Sequence, residues 1–321
     1  MENKLILGIH VGSTGTEAAV VDVKGSEYSI IIKEEIRPQG HDKKTIIDGV
    51  NMVINKIFQK VPKDKIQGSG ISTSGPVDIK NKIVHGPPSL NWANVNIEQE
   101  FGAILPSPIF VDDDADAAAL AEMQLGKGKG IDNFVCLMLC TGIGSGIVIN
   151  KNIYRGYEGL AGEIGHQTID YNGPLCHCSN HGCLETYASG WAIVKKMKEN
   201  IQLGVQTKLI SKLNDLSYLD ICKAADEGDK PSINLLKETG RYLGIGIANM
   251  LNILAHDKII ITGKLSKGYT HFKEHLEEEV RIRAFSIAHR ILPTETTGFG
   301  DNMDVFAAAA TFLFQNENQQ I

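Results

Sequence analysis

Two glycine-rich turns, each set between short apolar runs, constrain this chain's fold more than any other feature. The first, Gly12-Ser13-Thr14-Gly15, separates residues 5–10 from residues 16–22. The second, Thr141-Gly142-Ile143-Gly144-Ser145, separates residues 133–139 from residues 146–150. Apolar runs of strand length joined by a glycine turn read as β-hairpins. Each hairpin opens a succession of strands and helices. Behind the first come a strand at 29–33 and a helix at 44–58, whose Ile46, Val50, Val53, Ile54 and Ile57 recur at helical spacing. A strand at 66–72 then ends in Ser74-Gly75-Pro76, and a strand at 108–111 precedes a helix at 115–125. Behind the second hairpin the pattern predicts helices at 185–199 and 232–254 and a strand at 258–262. Residues 304–314, with four consecutive alanines, predict a closely packed final helix. Two hairpins in equivalent places predict a duplicated α/β architecture.

At 321 residues the chain exceeds one ordinary core and divides into about two domains. The expected division is 1–118, a small α/β domain with the helix at about 303–316 packed back on it, and 119–302, a large α/β domain. The formal charge of -6 leaves no basic footprint for nucleic acid. No run of about 18 apolar residues exists to span a membrane, and the short apolar stretch after Met1 is too brief for a secretory signal. A cytoplasmic protein is expected. In that compartment the six cysteines do not read as a disulfide framework.

Three of those cysteines are clustered as Cys176-x-Cys178-x4-Cys183, with His166 ten residues before the first. Three thiolates and an imidazole complete a closed, tetrahedral, structural zinc site. His177 and His181 lie inside the loop and compete with His166 for the fourth position. The isolated Cys136 and Cys222 read as small buried hydrophobes. The glycine turns expose backbone N–H groups and hydroxyls of the kind that cradle phosphate. Neither is a Walker loop or a dinucleotide fingerprint, because each leads into a strand. The run Asp112-Asp113-Asp114 stands before a helix, where one carboxylate suffices as a cap. Three adjacent carboxylates repel one another, a crowding that points to a site.

In order along the chain, these residues resemble the ROK family (repressors, open reading frames, kinases). The resemblance is densest from 139 to 190. It runs through Thr141-Gly142-Ile143-Gly144-Ser145-Gly146, Gly159-Leu160-Ala161-Gly162-Glu163-Ile164-Gly165-His166, Gly173-Pro174-Leu175-Cys176-His177-Cys178 and Gly182-Cys183-Leu184-Glu185. It implies an α/β, actin-like ATPase (ribonuclease H-like) fold with two α/β domains flanking a cleft. It also implies ATP-dependent phosphorylation of a hexose or N-acetylhexosamine. Asp114 matches the family's general base, and Asp113 the neighbouring position, usually asparagine, that binds sugar hydroxyls. Glu163, His166 and Glu185 match further sugar contacts, and Gly75 and Asn91 the wall of the sugar pocket. Gly12, Ser13, Thr14, Thr141 and Gly142 fall in the phosphate turns, and Gly263 near the nucleotide-side glycine turn. Mg2+ would bridge the phosphates, while Zn2+ on His166, Cys176, Cys178 and Cys183 would orient the sugar loop. Family members imply a homodimer or homotetramer.

The chain departs from the pattern on the ATP side. The family's first turn reads Asp-x-Gly-Gly-Thr, and this one reads His10-Val11-Gly12-Ser13-Thr14. Cys140 and Gly15 replace the usual glycine and lysine. An imidazole is a poor partner for a hard cation. The sequence therefore favours a kinase with a weakened Mg2+ site, with a non-catalytic sugar sensor as the alternative. A DNA-binding repressor is disfavoured, because the first strand starts at Leu5 with no room for a preceding helix-turn-helix.

Overall fold

The computed structural model describes residues 4–12, 15–25, 27–37, 40, 42–85, 94–285 and 294–318. Three strands open the chain: β1 (Lys4–Gly12), β2 (Gly15–Lys24) and β3 (Glu27–Ile36). Helix α1 (Lys43–Phe58) follows, capped by the Asp42 side chain, which accepts from the Thr45 amide. Its Ile46, Val50, Val53, Ile54 and Ile57 are buried, the face that the helical spacing predicts. After β4 (Ser69–Thr73), three two-residue strands form a small sheet: β5 (Val77–Asp78), β6 (Ile83–Val84) and β7 (Val95–Asn96). The short helix α2 (Ile97–Phe101) leads to β8 (Ile109–Asp113) and α3 (Asp114–Gln124).

Then come β9 (Phe134–Leu139), β10 (Ile143–Ile149) and β11 (Asn152–Ile153). The predicted helix at 185–199 is two helices, α4 (Glu185–Ala188) and α5 (Gly190–Gln202), because Ser189 leaves helical geometry and caps α5 through the Ala192 amide. Helix α6 (Tyr218–Asp226), α7 (Lys230–Leu254), β12 (Lys258–Thr262), α8 (Tyr269–Arg283), β13 (Thr294–Thr296) and α9 (Met303–Asn318) complete the chain. Helices α6 and α8 go beyond the elements that the sequence pattern predicts. The apolar content of α8 is low, and it buries only Phe272, Leu276 and Val280.

The two five-stranded sheets share one plan. Their strand orders are β3-β2-β1-β4-β8 and β11-β10-β9-β12-β13, so both run third, second, first, fourth, fifth. In the first, β1, β2 and β3 pair antiparallel, while β4 and β8 extend the sheet in parallel from β1. In the second, β10 and β11 are antiparallel, and β12 and β13 extend in parallel from β9. The duplicated hairpins of the sequence are thus the opening strands of two similar sheets.

Contacts divide the chain into two compact units, residues 1–131, 146–161 and 297–321, and residues 132–145 and 162–296. The core of the first is aliphatic, with Leu7, Ile9, Val20, Val53, Ile71, Ile109 and Val111 all fully or almost fully buried. In that unit α9 lies against β1, β4 and α3, and its four alanines allow the close approach. In the second unit α7 and α8 pack along one another. Among the described residues, no helix is long and apolar enough to cross a membrane.

Candidate active site

In the first unit, the parallel pairing of β1, β4 and β8 sets His10, Ser72 and Asp112 abreast. The three aspartates at the end of β8 take different surroundings. Asp112 is buried and forms an ion pair with Arg155, whose guanidinium also stands 3.6 Å from Asp116. Burial raises the Asp112 carboxyl, and the guanidinium works against that rise. Asp113 caps α3, its Oδ1 accepting from the Ala115 amide at 3.0 Å. A Cβ on Gly75 would stand 2.6 Å from Asp113 Oδ2, so a larger residue there would displace this carboxylate. Burial and the neighbouring Asp114 push Asp113 well above the ordinary carboxylate range.

Asp114 is the first residue of α3, one position earlier than expected, and it remains partly exposed. Its Oδ2 accepts from Ser74 Oγ at 3.1 Å. Burial raises its pKa, the charge of His10 and the Ser74 hydroxyl oppose the rise, and Asp304 adds to it. His10 itself has Nδ1 3.1 Å from Ser72 Oγ. The structure therefore gathers His10, Ser74, Gly75, Asp113 and Asp114 at one end of this sheet. Gly12 closes β1 there. Ser13, Thr14 and Asn91 lie outside the described residues.

In the second unit, His166, Cys176, Cys178 and Cys183 bring one imidazole nitrogen and three sulfurs within 4.8 Å of one another. His166 Nδ1 is 3.7 Å from Cys176 Sγ, and the sulfurs of Cys178 and Cys183 are 3.6 Å apart. A tetrahedral ion with bonds of about 2.3 Å to sulfur needs ligand separations of about 3.8 Å, so this donor set fits zinc. Cys176 and Cys183 are buried, and burial with neighbouring thiols pushes Cys183 up to about 12. The rival histidines are engaged elsewhere. His181 Nδ1 meets the Gly173 carbonyl at 3.1 Å, and His177 stacks on Trp191 with ring centroids 4.6 Å apart. The second nitrogen of His166 lies 3.9 Å from Glu163 Oε2, so one imidazole joins the thiols to the Glu163 carboxylate.

The segment bearing Glu163 and His166 rides on β10. Gly162 has φ +87°, and a Cβ there would strike the Ser145 carbonyl, while Ser145 Oγ donates to the Gly162 carbonyl at 2.8 Å. Gly165 approaches the Ile143 carbonyl as closely. The turn Thr141-Gly142 precedes this strand, with the Cys140 amide donating to the Gly142 carbonyl. Glu185, expected against the sugar, has its carboxylate on this turn: Oε2 accepts from the Ile143 amide at 3.0 Å and Oε1 from Trp191 Nε1 at 3.4 Å. Gly263 follows β12 with φ +84° and abuts Leu139 and Cys140. A cavity of about 550 Å3 opens beside Thr141, walled by Trp191, Lys195, Lys198 and Tyr218. The sequence does not single out Arg155 or Ser74, whose partners are distant along the chain, or Trp191, whose contacts with Glu185 and His177 only the fold shows.

A xylose repressor of Bacillus subtilis is 31% identical over 87% of this chain and 69% of its own length. A glucokinase of Halalkalibacterium halodurans is 32% identical over 86% of both. A ROK family glucokinase structure from Streptomyces griseus, in complex with glucose and AMPPNP, superposes with a TM-score of 0.83 at 25% identity, covering 95% of this chain and 98% of its own. Its fold, that of the actin-like ATPases, is the fold found here. With the ROK family model matching residues 6–313, from the first strand through most of the last helix, the chain belongs to the ROK family.

Proposed function

We propose that this chain is an ATP-dependent kinase for a hexose or N-acetylhexosamine, with Asp114 as the general base. One observation carries the reading, the division of labour in the aspartate run. Arg155 matches Asp112 and the α3 terminus occupies Asp113, whereas Asp114, half-buried like Asp113, stands beside a hydroxyl donor. A carboxyl raised by burial is a better proton acceptor than a free one. In the reaction the sugar hydroxyl oxygen attacks the γ-phosphorus of ATP and its proton passes to the Asp114 carboxylate. The bond from phosphorus to the bridging oxygen breaks, and ADP leaves. Glu163, His166, Glu185, Asp113, Gly75 and Asn91 would hold the sugar. Thr141, Gly142 and the turn from Gly12 to Thr14 would hold phosphate, with Gly263 on the nucleotide side. The glucokinase relatives support this assignment.

His166, Cys176, Cys178 and Cys183 would hold Zn2+, which when bound fixes the loop and the orientation of the imidazole. Mg2+ fits less well. A hard cation takes oxygen donors, and His10 offers nitrogen and is already engaged with Ser72. No step is assigned to that ion.

The same histidine favours a second reading, a sugar-binding regulator without turnover, and the xylose repressor relatives agree with it. A coupled ADP-release assay over glucose, N-acetylmannosamine, N-acetylglucosamine, fructose and xylose separates the two. The kinase reading expects turnover with one sugar and a fall of about 10²–10⁴-fold in Asp114→Ala. Sugar-dependent thermal stabilisation without ADP release would establish the sensor instead.

A further inference from the structure

The Cys3His loop and the Thr141–Ile143 turn are joined by a short chain of contacts that neither zinc binding nor phosphate binding requires. His177, between two of the cysteines, stacks on the Trp191 indole at 4.6 Å and 37°. The indole Nε1–H donates to one oxygen of Glu185 at 3.4 Å. The other oxygen of that carboxylate accepts from the Ile143 amide at 3.0 Å. The Trp191 backbone amide also donates to the Thr141 carbonyl at 3.1 Å. Trp191 therefore touches the metal loop with its ring face, the turn with its backbone, and the carboxylate bracing the turn with its ring edge. It also walls the cavity beside Thr141.

We propose that Trp191 is a positioning residue that transmits the order of the metal loop to the phosphate turn through Glu185. Filling the cluster fixes His177, which lies between two ligands, and so fixes the indole that stacks on it. The indole N–H holds one carboxylate oxygen, leaving the other aligned on the Ile143 amide. Carboxylate acceptors make the stronger class of hydrogen bond, so releasing one changes the geometry of the other. The turn's amides are then held in one orientation before any ligand arrives. The inference deepens the kinase reading by linking metal occupancy to nucleotide binding, and it rests on that reading only for the ligand.

The test uses the zinc-loaded protein and Trp191→Phe, which keeps an aromatic ring but loses the N–H. Amide hydrogen exchange at Ile143 reads the bond directly, with zinc content measured in parallel. Exchange at Ile143 should quicken about ten-fold in Trp191→Phe at unchanged zinc content, and to a similar extent in His177→Ala and in wild type stripped by a chelator. AMPPNP binding should weaken by up to about ten-fold in Trp191→Phe. Equal Ile143 exchange in wild type and Trp191→Phe, both zinc-loaded, overturns the relay. Failure of wild type to bind AMPPNP would count against the kinase reading and leave the exchange result to decide the relay.

Discussion

The two regions that carry the candidate residues are built by different means. In the second unit, a cluster of soft donors from one short loop organises the surroundings of Glu163 and His166. In the first, buried charges from separate strands and a helix are balanced against one another around Asp114. The spacing of the loop's three cysteines points to a metal cluster, and the fold brings His166, rather than His177 or His181, to it. The charge cluster depends on a cation 43 residues away, and at His10 it departs from the family pattern.

If that contrast is right, each region breaks by its own route. The largest effect should follow Arg155→Met. It leaves Asp112, 1% exposed, without its cation, and unfolding by denaturant should show a loss of about 3–5 kcal/mol. A change below about 1 kcal/mol would mean that the pair contributes nothing to the first unit. Cys183→Ser comes next. Elemental analysis should fall from about one zinc per chain to near none, with the loop exchanging amides faster. Retention of zinc would reassign the ligands.

Much of this architecture is legible in the order of residues along the chain. Cys176, Cys178 and Cys183 are near in sequence, so their meeting follows from spacing, and the two glycine hairpins forecast two similar sheets. The balance around the aspartates is not legible in the same way. Arg155 reads as one more loop cation until the fold sets it beside Asp112, and Ser74 as a turn residue until β4 and α3 bring it to Asp114. Likewise the resemblance gives Glu185 a sugar role, and its bond to the Ile143 amide is a further contact that the sequence does not reveal. Such pairings depend on how separate loops, turns and helices pack, which residue type does not reveal.

Two smaller effects sharpen the comparison. Asp113 binds its proton more tightly folded than unfolded, so stability falls as pH rises from the ordinary carboxylate value through the raised one. Asp113→Asn keeps a good helix cap and removes that charge. It should be more stable than the parent at about pH 7, with the gain vanishing at pH below the ordinary carboxylate range. The smallest shift concerns His10, whose charge lowers the Asp114 carboxyl. In His10→Ala the acidic limb of the pH–rate profile should move to higher pH, and movement to lower pH would remove His10 from Asp114's surroundings.

The most direct test of the central claim is to look for the sugar phosphate itself. Phosphorus NMR of the protein with ATP, Mg2+ and each sugar of the panel should show a phosphomonoester resonance growing with one of them. The isosteric Asp114→Asn protein should give essentially none over the same period. An equal resonance in Asp114→Asn would contradict the assigned base. No resonance in wild type, with a sugar still raising its melting temperature, would contradict the kinase.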